Sequence, residues 1–351
     1  MSTPKKLKTV AVIGNGIIGH GMAEVFAASG LKVRLIGRSG PSLANALKRI
    51  EASRESFRKN GLTTKAAAAA ALGRIAVSTR LDDAADAELV VEAVPEDMDL
   101  KLGIFGQLDR ITAPSTVLAT SSGHPASEVV ARVRHRGRVV ATHFWYPPQL
   151  IPLVEVCAGP ETDADVVPWV CGILRGAGKA PVVIDREVPG FIGNRIQFAA
   201  LREAWSLWAA GAASAEAIDA VVRYSIGRRL GVTGPIESAD LGGLDTMFNF
   251  ARFLQPSLDT RPEPPAEVAR LVAGRHRGQP SGRGIYDWLK RDGEALLAAR
   301  RAELFRWLQA DAAAGSKHKA KPRTVKALRA KRAAKKPAMK NRSAKGGRRD
   351  R

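Results

Sequence analysis

Residues 8–37 read KTVAVIGNGIIGHGMAEVFAASGLKVRLIG, and the alternation of character along them decides the fold. KTVAVIG is a short β-branched apolar run, and GNGIIG follows it at once. MAEVFAASG has the spacing of an amphipathic helix that stops at Gly30, and KVRLIG is a second strand. Within that βαβ frame Gly14 suits a tight turn, Gly16 lets the backbone approach a pyrophosphate, and Gly19 lets helix and strand pack closely. Ile17 and Ile18 complete the cradle, where the unserved N–H groups of a helix start face phosphate. The stretch predicts a Rossmann-type doubly wound α/β sheet that binds a dinucleotide.

The end of the second strand bears on which dinucleotide. An acidic residue there would bind the ribose hydroxyls of NAD, but the position is Gly37, followed by Arg38 and Ser39. A guanidinium and a hydroxyl in place of an acid suit a 2′-phosphate, which favours NADP; an Arg38 that only stacks on adenine would admit NAD or NADP.

Further along, residues 41–72 read as a helical excursion and Ile75 to Ser78 as a short strand. AELVVEAV at 87–94 is the next strand, a helix covers Leu100 to Ile111, and Thr116 to Ala119 is a strand that opens into the polar loop TSSG at 120–123. VATHFWYPPQLIPLVEV at 140–156 carries two chemical residues. A β run delivers His143 to a strand end; after a proline turn, the apolar run Ile151 to Val156 holds Glu155 in its middle. A carboxylate there needs a partner, and His143 is the natural one; the carboxylate would fix the imidazole tautomer and leave its other nitrogen as a base. Ligands of doubly wound sheets lie outside the carboxyl ends of the strands, and Glu96, Lys101, Ser121, Ser122 and His143 all come from such ends or the turns after them.

From Pro189 onwards no strand pattern remains. PGFIGNRIQFAALREAWSLWAAG at 189–211 has helical spacing, and helices near 214–226, 237–254, 264–273 and 292–310 follow. The division expected is a dinucleotide-binding domain over 1–187, a helical substrate and dimerisation domain over 188–312 and a basic tail over 313–351. Asn194 sits in the first turns of the opening helix, where it is either a local cap or a group aimed at the site.

Composition limits the remaining options. No apolar run is long enough to span a membrane, and no secretory leader is recognisable at the start. Cys157 and Cys171 fit neither a disulfide nor a metal-ligand framework, which points to a reducing, cytoplasmic setting and to no bound metal. The formal charge of +21 is concentrated at the end. Residues 315–351 hold sixteen Lys and Arg against Asp350 alone, a net +15, which leaves +6 on the remainder. A segment of that composition is expected to be disordered and, if it binds nucleic acid, to do so through phosphate charge alone. The rival to an enzyme is therefore a non-catalytic nucleotide-binding protein tethered to nucleic acid by this tail.

GNGIIG, VVEAVPE at 90–96, TSS at 120–122, HF at 143–144 with LVEV at 153–156, PGFIGNR at 189–195 and GRGIYDW at 282–288 stand in an order and at a spacing that resemble the 3-hydroxyacyl-CoA dehydrogenase family over about residues 7–310. The resemblance implies NAD(P)-dependent oxidation of a 3-hydroxy group to 3-oxo on a small-molecule substrate, in a homodimer. It implies that His143 takes the hydroxyl proton, that Glu155 orients His143, that Ser122 and Asn194 hold substrate oxygens, and that Glu96 and Lys101 contact the cofactor. His124 matches no family histidine. Tyr146 and Thr120 stand where many members carry asparagine, so the nicotinamide pocket departs from the pattern. RIQFAALREAW at 195–205 and the proline-rich turn resemble the L-gulonate 3-dehydrogenase and lambda-crystallin branch, which acts on free hydroxy acids. Arg195, Arg228 and Arg229 are candidates to clamp a substrate carboxylate. A CoA thioester would instead use Lys48, Arg49, Arg54, Arg58 and Lys59.

Overall fold

The computed structural model describes residues 3–4 and 7–315; most of the basic tail, 316–351, lies outside the described residues, and so do the expectations placed on it. The chain divides into two compact units, Met1–Phe305 and Arg306–Arg351.

The first unit opens with β1 (Thr9–Ile13), α1 (Gly19–Ala28) and β2 (Lys32–Ile36). The helical excursion is two helices, α2 (Gly40–Lys59) and α3 (Lys65–Leu72), because Gly61 takes a left-handed φ of 72° and the Thr64 hydroxyl caps a new start. Then come β3 (Ile75–Ser78), β4 (Leu89–Glu92), α4 (Met98–Ile111), β5 (Val117–Thr120), α5 (Ala126–Val129), β6 (Val139–Phe144), β7 (Leu153–Ala158), α6 (Val166–Gly176) and β8 (Ala180–Ile184). The eight strands form one sheet in the order β3-β2-β1-β4-β5-β6-β7-β8, parallel except where β6 meets β7. The β1–β4 junction is where the order reverses, the position at which doubly wound sheets bind ligands.

Both sheet faces are covered, as a parallel sheet requires. On one side Val10, Val12, Val91 and Val156 pack against Met22 and Phe26 of α1, Ile50 of α2 and Val170 of α6; on the other Ala11, Leu118, Ala141 and Cys157 meet Phe105 of α4 and Val129 of α5.

After β8 the chain is helical: α7 (Phe191–Ala209), α8 (Ala215–Tyr224), α9 (Ile226–Arg229), α10 (Pro235–Leu241), α11 (Leu244–Leu254), α12 (Ala266–Ala273) and α13 (Gly293–Gly315). The single helix expected over 237–254 is broken at Gly242–Gly243, where Gly243 adopts φ 89°. Isolated bridges at Gly278, Arg283 and Asp287 are the β pairing that remains here among the described residues. No described helix is long and apolar enough to cross a membrane.

Candidate active site

The glycine turn has the shape a dinucleotide requires. Gly14 has φ 101°, and a Cβ on it would stand 2.5 Å from the Ala93 carbonyl oxygen, so the loops after β1 and β4 meet only because the residue is bare. A Cβ on Gly19 would lie 1.8 Å from the Gly14 carbonyl oxygen, whereas one on Gly16 meets nothing within 4 Å and faces open space. That open face, with exposed Ile17 beside it and Ile18 as the cap of α1, fits a pyrophosphate laid over the helix start. Inside the turn, the His20 ring lies with Nδ1 2.6 Å from the Gly16 carbonyl oxygen, which makes Nδ1 the protonated nitrogen; burial lowers its basicity. This support for the turn had no signature in the sequence.

At the end of β2, Gly37 is bare for a steric reason: a Cβ would stand 2.7 Å from the Asn15 side-chain amide. Arg38 is exposed, and Ser39 caps α2 by accepting from the Ser42 N–H at 3.4 Å. The hydroxyl read as a phosphate ligand thus has a structural task as well.

His143 and Glu155 stand directly opposite each other in the antiparallel β6–β7 pairing. Cross-strand partners project on one face within reach of each other, so two residues twelve apart in sequence meet: His143 Nδ1 lies 2.8 Å from Glu155 Oε2. Glu155 accepts three further hydrogen bonds, from Trp145 Nε1 to Oε2 at 3.1 Å and from the Ile192 and Gly193 N–H groups to Oε1 at 3.0 Å each. Burial works to raise this carboxyl, but the bonds from His143, Gly193 and Trp145 outweigh it and hold Glu155 below the usual carboxylate range. It is therefore an anion at neutral pH, and its His143 bond assigns the proton to Nδ1 and the free lone pair to Nε2.

Helix α7 is aimed at this pair by its start. Gly190 and Phe191 are consecutive left-handed residues, φ 76° and 55°. For phenylalanine that conformation costs about 1–2 kcal/mol, a cost set against burial of the ring and its stacking on the His143 imidazole at 5.1 Å. Gly193 must be glycine, because a Cβ would fall 2.2 Å from the Trp145 ring. Asn194 is not a cap: Gly190 occupies that position, and the Asn194 Nδ2 instead lies 3.5 Å from His143 Nε2, the open nitrogen.

Ser122, Glu96 and Lys101 form a second group. The Ser122 hydroxyl donates to Glu96 Oε2 at 2.5 Å, and Glu96 also takes the Gly123 N–H at 3.1 Å and Lys101 Nζ at 3.2 Å. Burial would raise the Glu96 carboxyl, yet these donors bring it below its ordinary range. Lys101 is turned inwards, 1% exposed, between Glu96 and the fully buried Glu92, whose Oε1 it meets at 2.8 Å; its ammonium faces the crevice only through Glu96. Thr120 donates to the other Glu92 oxygen at 2.8 Å. The two groups are tied through backbone, Gly190 N–H to the Gly123 carbonyl at 2.9 Å. His124 pairs with Glu128 at the surface, 2.7 Å away.

Comparison with known proteins follows the same division of the chain. The sequence model for the 3-hydroxyacyl-CoA dehydrogenase NAD binding domain matches residues 9–188, and that for the 3-hydroxyacyl-CoA dehydrogenase C-terminal domain matches residues 190–288. L-carnitine dehydrogenase of Streptomyces coelicolor is 34% identical, over 86% of this chain and 96% of its own. A probable 3-hydroxybutyryl-CoA dehydrogenase of Bacillus subtilis is 32% identical, over 81% of this chain and 98% of its own. Among solved structures, that of 5-formyl-3-hydroxy-2-methylpyridine 4-carboxylic acid 5-dehydrogenase, an NAD+-dependent dismutase, superposes with a TM-score of 0.80 at 28% identity, covering 87% of this chain and 98% of that one.

Proposed function

The chain belongs to the 3-hydroxyacyl-CoA dehydrogenase family, and on that premise we propose that His143, Glu155, Asn194 and Ser122 carry out its oxidation of a 3-hydroxy group to 3-oxo. The protein is an NAD-dependent oxidoreductase of that family. One observation supports the residue roles above all others: a buried imidazole bonded through Nδ1 to an ionised carboxylate, with Nε2 left to Asn194.

Bound nicotinamide supplies the hydride acceptor. His143 Nε2 takes the hydroxyl proton, and the Glu155 anion stabilises the imidazolium that results. Asn194 offers its amide to the substrate oxygen, and so does Ser122 once its hydroxyl leaves Glu96; both stabilise charge that grows as the carbonyl forms. Gly14, Gly16, Ile17, Ile18 and Gly19 would hold the pyrophosphate, and Glu96 and Lys101 would contact the cofactor, Lys101 through its ion pair with Glu96. Arg38, exposed at the end of β2, gives a 2′-phosphate a partner and supports use of NADP alongside NAD.

Residues 188–312 we assign to substrate binding and to pairing with a second copy of the chain; the unburied apolar side chains of α8 to α12 support that assignment. The free, buried Cys157 and Cys171 suit a cytoplasmic location. Residues 315–351 we assign to charge-driven contact with nucleic-acid phosphates, tested by a salt-dependent mobility shift that deletion of the tail abolishes. The central test is a substrate panel: 3-hydroxyacyl-CoA thioesters against free 3-hydroxy acids, each with NAD and with NADP. Production of the 3-oxo compound from at least one class is expected, and no turnover of either class with either nicotinamide would overturn the reading.

A further inference from the structure

A cleft of about 550 Å³ begins at Asn194 and runs along α7, with Arg195, Phe198, Arg202 and Trp205 on one wall and Arg261 to Pro265 on the other. The positions 194–195, 198, 202 and 205 are spaced so that they share one helical face, and the volume suits a small organic molecule. Its charge is uneven. Arg261 is held by Asp259 at 2.5–3.1 Å and by Ser206 at 3.2 Å. Arg195 and Arg202 have no hydrogen-bond or ion-pair partner among the described residues; the stem of Arg195 passes 3.8 Å from where a Cβ on Gly190 would be. Two unpaired guanidinium groups thus face a cleft whose one lining carboxylate is Glu263.

We propose that Arg202, assisted by Arg195, clamps a carboxylate of the substrate, so that the preferred substrate is a small free hydroxy acid. Resting on the dehydrogenase reading above, the inference names the substrate class of that site. Asn194 and Arg202 are eight residues apart, about 12 Å along the axis, and a helical side chain leans toward the N-terminus, so the Arg202 head is carried back toward Asn194. A carboxylate close to the reacting carbon then meets a planar fork able to take both its oxygens. The basic residues available to a CoA phosphate are mostly engaged: Arg54 is buried 3.6 Å from Glu24, Arg58 pairs with Glu55 at 2.6 Å, and Arg49 donates to the Asn15 carbonyl at 3.1 Å. Arg228 lies over the Tyr224 ring, and neither it nor Arg229 lines the cleft.

The test is calorimetric binding of 3-oxobutanoate, its neutral amide and its CoA thioester to the full chain with NAD bound. The wild type is expected to bind the acid at least ~30-fold more tightly than the amide, a preference of the size that a charge-assisted bidentate pair confers. Arg202→Met should reduce that preference to ~3-fold or less, and Arg202→Lys should restore part of it. Equal binding of acid and amide by the wild type overturns the proposal, as does a loss in Arg202→Met confined to the thioester. Turnover of the matching 3-hydroxy compounds is read separately: an acid preference that Arg202→Met removes, in a protein that oxidises none of them, would sink the dehydrogenase reading and leave the clamp standing.

Discussion

The sheet and the helices after it meet water in opposite ways. Val10, Ala11, Val12, Met22, Ala23 and Phe26 are fully sealed around β1 and α1, while no residue of α8, α10, α11 or α12 is fully buried. Phe253 on α11 is 77% exposed and Val232 is 84% exposed. A sealed sheet can carry what the site needs, namely buried ions and a left-handed phenylalanine, because surrounding contacts hold these in place. An apolar helical face left in water has no such support, and exposed apolar patches are a common mark of interaction surfaces, which is the basis of the pairing proposed above. The difference teaches that the glycine turn and the His143–Glu155 pair rest on sealed packing while the proposed pairing surface rests on apolar side chains still in water, so the two can be broken separately.

The largest effect is expected on the sheet side. His143→Ala removes the proposed base, and general-base loss costs about 10²–10⁴ in rate, so turnover should fall by about 10³ while NAD affinity, assigned to the glycine turn, stays within a few-fold. Steady-state kinetics with NAD titrated by fluorescence decides it, and turnover within tenfold of wild type would remove His143 from the mechanism. On the helical side, Phe253→Glu should leave NAD affinity intact and weaken self-association about 100-fold, the size of a central aromatic contact, roughly 3 kcal/mol. Sedimentation at micromolar concentration is the measurement; a wild type that is already a monomer there breaks the contrast.

A third change probes how well the sheet side tolerates ions. Glu24 lies on α1, 1% exposed, with Ser53 at 3.0 Å and Arg54 at 3.6 Å. Burial pushes its carboxyl up to about 7, against these partners. A raised folded-state pKa gives stability that is complete below the unfolded value and lost as pH rises through about 7. Glu24→Gln should flatten that decline, by an amount on the order of 1–3 kcal/mol between pH 5 and 8. Lys179, lowered by burial to about 8, acts in the opposite sense and is itself raised by the Glu24 charge, so the Glu24 effect is read on the part of the decline between pH 5 and 7, below the Lys179 titration. Parallel curves across that range would show that Glu24 keeps its proton or its partners throughout.

The sequence made the βαβ unit and the His143–Glu155 pair legible for one reason: an apolar run with one polar residue in it states a demand that some partner must meet. The same reasoning applied to MAEVFAA and LVVEAV would have marked Glu24 and Glu92, both buried and both paired. What stayed illegible depends on pairings between distant segments. The seat of Lys101 between Glu92 and Glu96 depends on how α4 packs on β4, which no local pattern states. Asn194 was divided between cap and site because only the left-handed turn at Gly190 and Phe191 decides where α7 begins. Trp145 had no polar role in the sequence, since its indole N–H is one donor on a large apolar ring.

Trp145 also supplies the finest test of the sheet-side site. Its Nε1 and His143 Nδ1 share the same oxygen of Glu155, at 3.1 and 2.8 Å. With the Ile192 and Gly193 N–H groups on the other oxygen, four donors fix the carboxylate beside His143. Trp145→Phe keeps an aromatic ring over Gly193 and removes one of the four. Glu155 is then held less tightly against the imidazole, and kcat should fall about tenfold, roughly 1.4 kcal/mol, with NAD affinity unchanged. Steady-state kinetics with NAD titrated by fluorescence is the measurement. A kcat equal to that of the wild type would mean that the indole N–H adds nothing to the pair, and an equal loss of NAD affinity would mean that Trp145 only packs against Gly193.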